Sequence, residues 1–236
     1  MELRQLMLLA HSVVSDSNYS SDSMSDRIIR ILDKLSECPI RKLILYNSTI
    51  ALEQMSCLCQ CISTPSFHLT SIVLGNTRIG NKGANLLAIA LVTGGCSVEQ
   101  LVLDSCCIGN PGACALAEAL CTNKSVWKLD LHGNCISDAA CFQLSRILIE
   151  SMTLQVLGLS NNNIGDQGIL CYLAPALCNT SGVSQLELVQ LTGNPRLTDS
   201  SYKSLGEAWT TFQTMSLGKR TQLRIELDLG SIGELQ

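Results

Sequence analysis

A block of about thirty residues recurs through this chain, and that recurrence limits the possible folds more than any single motif does. VEQLVLDSCCIGN from Val98, VWKLDLHGNCISD from Val126 and LQVLGLSNNNIGD from Leu154 fit one template, L-x-x-L-x-L-x-x-N/C-x-L. The first template position falls at Ile40, Leu69, Val98, Val126 and Leu154, with spacings of 29, 29, 28 and 28 residues, and Leu186 follows after 32. A looser copy starts at Leu3, with Leu6, Leu8, His11 and Val13 in template positions, which makes about seven copies. So short a unit cannot bury its own leucines and must stack on its neighbours. The expectation is therefore one elongated α/β domain over residues 1–236, a solenoid with parallel strands on one side and helices on the other.

Each copy reads as strand, turn and helix. The strand covers about template positions 3 to 7, with its leucines directed into the core by alternation. The ninth position is Ser48, Thr77, Cys106, Asn134, Asn162 and Asn194. An Asn there is expected to bond free backbone groups where the chain leaves the strand, tying adjacent coils together, with Cys or Thr doing part of that work. The thirteenth position is Asn81, Asn110, Asp138 and Asp166, with Asp199 equivalent in the longer copy. These residue types are strong helix N-caps, so each is expected to cap the helix that it begins. Pro111 after Asn110 suits a first helical position. Leu87-AIA-Leu91, Leu116-AEA-Leu120, Leu144-SRI-Leu148, Leu173-APA-Leu177 and Leu205-GEA-Trp209 repeat one buried helical stripe. Two places depart from the pattern. Leu52 stands where a cap belongs, and Pro175 inside a helix should kink or shorten it.

The two ends read differently. A first strand is expected from Leu3 to Leu9, an exposed Ser/Asp-rich insertion over 10–26, and a helix over 25–35. Residues 198–236 read as a C-terminal repeat with a closing strand, in which Leu223, Ile225, Leu227 and Leu229 alternate with polar residues. Trp209 and Phe212 should help cover that end. No equivalent cap precedes Leu3, so self-association, another chain or a fused domain is expected at the N-terminal edge.

Composition sets the class. Hydrophobic residues make up 46% and aromatics only 4%, which suits a core of Leu, Ile, Val and Ala. A net charge of −4 without a basic stripe argues against nucleic acid, and no run of ~18 apolar residues suggests a membrane span. Thirteen cysteines are an odd number, and they follow the repeat, as Cys106, Cys114, Cys141 and Cys171 show. They read as free thiols of a reducing compartment, so a cytoplasmic location is expected. The start, MELRQLMLLAHSVVSD, lacks a basic leader and a small-residue cleavage site, and reads as a strand rather than a signal peptide. On that reading the glycosylation sequons at Asn18, Asn47, Asn123 and Asn179 stay unused.

The 28/29 alternation, the N/C column and phrases such as LSNNNIGDQGI and LDLHGNCISD resemble the ribonuclease-inhibitor-type leucine-rich repeats. NOD-like receptor sensor domains and the Ran GTPase-activating protein share this class. The resemblance spans about Leu3 to Leu229 and rests on structural residues. It implies a horseshoe with strands on the concave face and helices on the convex face. It also implies binding of a protein partner through the concave face and its rims, in a non-enzymatic scaffold without cofactors.

The template names the concave residues. Position 3 gives Gln5, Lys42, Ser71, Gln100, Lys128, Val156 and Leu188; position 5 gives Met7, Ile44, Val73, Val102, Asp130, Gly158 and Gln190. Position 7 gives Leu9, Tyr46, Gly75, Asp104, His132, Ser160 and Thr192. Aromatic and charged side chains commonly dominate interfaces, so the candidate protein-binding patch is Tyr46, Asp104, Trp127, Lys128, Asp130 and His132. The competing reading is an ordinary solvated strand face.

Other chemistry is weakly signalled. Asp104, Asp130 and His132 could approach one another across neighbouring strands, yet only three histidines exist and a one-layer face implies no deep pocket. Cys57, Cys59 and Cys61 do not share one helical face, and no matching pair completes a zinc set. Gly75-NTRI-Gly80 resembles a phosphate loop, but Asn81 stands in place of its Lys. Regulation of a small GTPase and a sensor fragment of a NOD-like receptor are the alternatives. Against the first, no Arg occupies positions 3, 5 or 7 of these strands, and the acidic tail of the Ran regulators is missing.

Overall fold

A computed structural model of the chain describes residues 41–64, 68–93, 96–179, 185–215 and 223–227. The expected first strand, the Ser/Asp-rich insertion and the helix over 25–35 lie outside the described residues. Seven strands form one parallel sheet in chain order: β1 (Lys42–Tyr46), β2 (Ser71–Gly75), β3 (Gln100–Val102), β4 (Lys128–Asp130), β5 (Val156–Gly158), β6 (Leu188–Gln190) and β7 (Arg224–Glu226). The register follows the template: Leu43 faces Ile72, then Leu101, Leu129, Leu157, Val189 and Ile225. Only β1 and β2 have the full five-residue extent read from the pattern. Beyond the shorter strands the rungs continue coil to coil, as in Leu103 N–H to Asp130 O at 2.8 Å and Ser105 N–H to His132 O at 2.8 Å.

Helices return the chain to the next strand: α1 (Leu52–Ile62), α2 (Gly80–Val92), α3 (Asn110–Thr122), α4 (Asp138–Glu150), α5 (Asp166–Gly168), α6 (Ala174–Cys178) and α7 (Asp199–Met215). The core lies between sheet and helices. Leu101, Leu129 and Leu157 of the strands and Leu116 and Leu144 of the helices have no exposed surface. Each such burial is worth about 1.5–3 kcal/mol, and every one of them depends on an adjacent coil.

The ninth-position column behaves as its chemistry suggests. Asn134 Oδ1 accepts the N–H groups of Cys106 (3.1 Å) and Ile108 (2.9 Å) in the preceding coil, and its Nδ2 donates to the carbonyls of Leu103 and Leu131. Asn162 and Asn194 repeat the arrangement with Ile136 and Ile164 as donors. Cys106 makes a reduced version, donating Sγ–H to Leu74 O at 2.7 Å. Each amide satisfies buried backbone groups that would otherwise cost about 1–3 kcal/mol apiece.

The thirteenth-position column corrects the capping expectation. The caps of α3, α4 and α5 are Gly109, Ser137 and Gly165, and none is held by a side-chain bond of its own. Asn81 Oδ1 instead accepts from Gly109 N (2.8 Å) and Gly112 N (3.1 Å), one coil on. Asp138 Oδ1 does the same for Gly165 N (2.6 Å) and Gly168 N (3.1 Å), and Asp166 Oδ1 for Thr198 N (2.8 Å). The reason is geometric. A cap residue must hold non-helical backbone angles, whereas Asn110, Asp138 and Asp166 already lie inside their helices. From there the side chain reaches the first turn of the neighbouring coil.

Both departures have physical outcomes. Pro175 has no N–H to give to Cys171 O, and the helical segment is divided into α5, a π-helical stretch Ile169–Leu173 and α6. At α1 the missing Asn or Asp is replaced by Gln54, whose Oε1 accepts the Ala51 N–H at 2.8 Å. At the C-terminal end the closing strand lies beside β6, Phe212 is buried, and Trp209 Nε1 donates to Leu223 O at 2.8 Å.

Candidate protein-binding face

The open face of the sheet carries template positions 3, 5 and 7 in parallel rows, because the strands are in register. Tyr46 ends β1 half-exposed, and its ring lies over Gly75 of β2. Any side chain at Gly75 would collide with Cδ1 and Cε1 of that ring, and its Cβ would also stand 2.9 Å from Asp104 Oδ1. Tyr46 and Asp104 therefore meet above a glycine, two coils apart in sequence. A second glycine repeats the device: Asp130 Oδ1 leans over Gly158 of β5, 2.6 Å from where a Cβ would be.

His132 completes the group. Its backbone N–H donates to Asp130 Oδ1 at 3.1 Å, and its ring Nε2 lies 3.1 Å from Asn161 Nδ2. Asn161 has φ +51°, in the left-handed region that Asn tolerates. The electrostatics couple the four residues. Burial raises the Asp104 carboxyl above its ordinary range, Asp130 adds to that, and His132 opposes it. The Tyr46 hydroxyl is raised by burial, then by Asp104 and Asp130.

Of the six residues read from the pattern, the fold brings Tyr46, Asp104, Asp130 and His132 together. Lys128 lies on the same face two residues before Asp130, in the position 3 row. Trp127 is different: it precedes β4, at the strand end opposite His132, in step with Leu129 rather than with Lys128 and Asp130. The candidate patch left out three contributors. Asn161 orients His132, Gly75 seats the Tyr46 ring, and the closing strand adds Arg224 and Glu226 to the rows. The last pair was readable from the alternation in residues 223–229, but the other two needed the coil-to-coil contacts.

Among the described residues, no group of His, Cys, Asp or Glu has the placement to hold a metal ion. Cys57 is exposed and Cys59 buried on α1, and burial pushes the Cys59 thiol up to about 12. The glycine-bounded run 75–80 has backbone donors already committed, Asn76 N–H to Asp104 O and Gly80 N–H to Cys106 O. No described helix is long and apolar enough to cross a membrane.

Three stretches of the chain, 66–88, 96–117 and 150–171, match the family model described as Leucine Rich repeat. The chain carries leucine-rich repeats, and they form the α/β solenoid described above. No curated protein matches the chain. Among 68 matching chains of solved structures is Leiomodin-1 Actin-Binding Site 2 (ABS2), 21% identical with a TM-score of 0.52. The likeness covers 66% of this chain and 91% of that one, and at this identity it is a likeness of fold.

Proposed function

We propose that this protein is a binding module that holds a protein partner against the open, strand-side face of its repeats, without catalysing a reaction. The observation that carries the reading is the convergence of Tyr46, Asp104, Asp130 and His132 from three coils onto one surface. Two glycines make room for the aromatic and acidic side chains, and the exposed ring offers an aromatic anchor of the kind that dominates interfaces. Lys128 flanks the group. The leucine-rich repeats support a protein-binding role, and the 28/29 alternation favours the ribonuclease-inhibitor type among them. The module works in the cytoplasm, where thiols such as Cys59, Cys106 and Cys141 stay reduced.

The test is quantitative partner capture. Partners taken from native cells by the full chain are identified, and the capture is repeated with Tyr46→Ala plus Asp130→Asn. Loss of the same proteins from the double variant, with an unchanged thermal midpoint, supports the reading; undiminished capture removes this face from it. Purified actin is the first single protein to offer, since the solved neighbour is named as an actin-binding site. Hydrolysis of GTP by a panel of small GTPases is expected to be unstimulated.

A further inference from the structure

The charges of the open face are sorted into lanes. The position 3 row carries Lys42, Lys128 and Arg224 and no acid; the position 5 row carries Asp130 and Glu226 and no base. Asp104 stands with Tyr46 in the position 7 row, on the acidic side. In the first three strands the position 5 row is apolar instead, with Ile44, Val73 and Val102 side by side in register, and Asp130 continues that row in β4. Arg224 and Glu226 pair with each other at 3.3 Å. Lys42, Lys128, Asp104 and Asp130 make no salt bridge among the described residues.

We propose that this face binds an amphipathic helix of the partner protein, laid across β1 to β4, with a basic flank along Asp104 and Asp130 and an acidic flank along Lys42 and Lys128. The inference rests on the binding role proposed above and specifies the partner's chemistry. Charge complementarity selects the two flanks: a uniformly charged segment would meet like charge on one side. Spacing selects a helix. Successive turns of an apolar stripe advance about 5.4 Å, close to the ~4.8 Å between strands, so each turn meets one strand. An extended segment repeats its side chains every ~6.6 Å and falls out of step within two strands. Width agrees as well: positions 3 and 7 are four residues apart, about 13 Å, and a helix with side chains is about 10–12 Å across.

The test uses the full chain and four synthetic peptides of equal length, read by fluorescence anisotropy at low salt. One is an alanine-based helix with a leucine stripe, lysines on one flank and glutamates on the other. Two carry lysine only or glutamate only on both flanks, and the fourth is the bipolar sequence interrupted by prolines so that it cannot form a helix. The bipolar helix is expected to bind at least about tenfold tighter than the other three. Asp104→Asn with Asp130→Asn, and separately Lys42→Gln with Lys128→Gln, should each weaken it about fivefold or more without lowering the circular-dichroism melting midpoint. Absence of bipolar binding, equal binding of a uniformly charged peptide, equal binding of the proline-interrupted peptide, or insensitivity to either double variant overturns the proposal. None of these results touches the Tyr46- and Asp130-dependent capture of cellular partners, which stands or falls by its own experiment.

Discussion

The ring of Tyr46 occupies the space in which Gly75 would carry a side chain. One strand supplies the aromatic and the next supplies its seat, so the anchor of the proposed interface depends on a residue with no side chain of its own. Gly75→Val is therefore expected to displace the ring without unfolding the chain, because Tyr46 is half-exposed and can swing outward. Partner capture should fall about as far as in Tyr46→Ala, while the denaturation midpoint moves little. A large loss of stability would show that the ring is a core element instead.

The asparagine column predicts a steep stability difference. Asn134→Ala strands the buried N–H groups of Cys106 and Ile108 and the Leu103 carbonyl, while Leu131 O keeps its bond from Asn162 Nδ2. At about 1–3 kcal/mol for each unmet group, a loss of at least about 3 kcal/mol is expected in denaturant unfolding. Cys106→Ala removes only the weaker thiol contacts with Leu74 O, Asp104 O and Thr77 Oγ1 and should cost about 1 kcal/mol.

The forward caps predict where a local defect appears. Asp138→Ala should cost about 1 kcal/mol, and hydrogen exchange should quicken at Gly165 and Gly168, one coil on. The first turn of α4, which contains Asp138 itself, should exchange at its former rate. Quickening confined to α4 would mean that Asp138 caps its own helix.

Two carboxylates bend the pH dependence of stability in opposite senses. Burial raises the Asp104 carboxyl in the folded chain, so its ionised form costs stability above that raised value, and the cost disappears as pH falls through it. Bonds from Ser201 and then Thr198 lower the Asp166 carboxyl, so its contribution is present above the ordinary aspartate range and lost as pH falls through the lowered value. At neutral pH, Asp104→Asn should match or exceed the parent midpoint and Asp166→Asn should fall below it. Both differences should shrink in acid.

The thiols divide by depth. Burial pushes Cys141 up to about 12, as it does Cys59, whereas Cys57, Cys107, Cys135 and Cys171 are exposed. The thiolate is the reactive form, so iodoacetamide at neutral pH should modify the exposed four in the native chain. Cys59 and Cys141 should react only after unfolding, as read by peptide mass mapping.

The leucine columns and the ninth-position asparagines could be read before any coordinates, since both follow from the period. Leu101, Leu129 and Leu157 had to stack because no single coil can bury them, and Asn134, Asn162 and Asn194 recur where the backbone leaves each strand. The rows of the open face came from the same alternation, and Lys128 and Asp130 fall where it puts them.

What tertiary structure alone decided is the direction in which side chains lean between coils. A pattern places Asn81 and Asp138 at helix starts, but whether each serves its own first turn or its neighbour's depends on how the coils are offset when stacked. The same holds for Tyr46 over Gly75 and for Asn161 beside His132. Periodicity along a chain specifies which residues share a face. Contacts across coils depend on the spacing and offset of the stack, and those are set by packing.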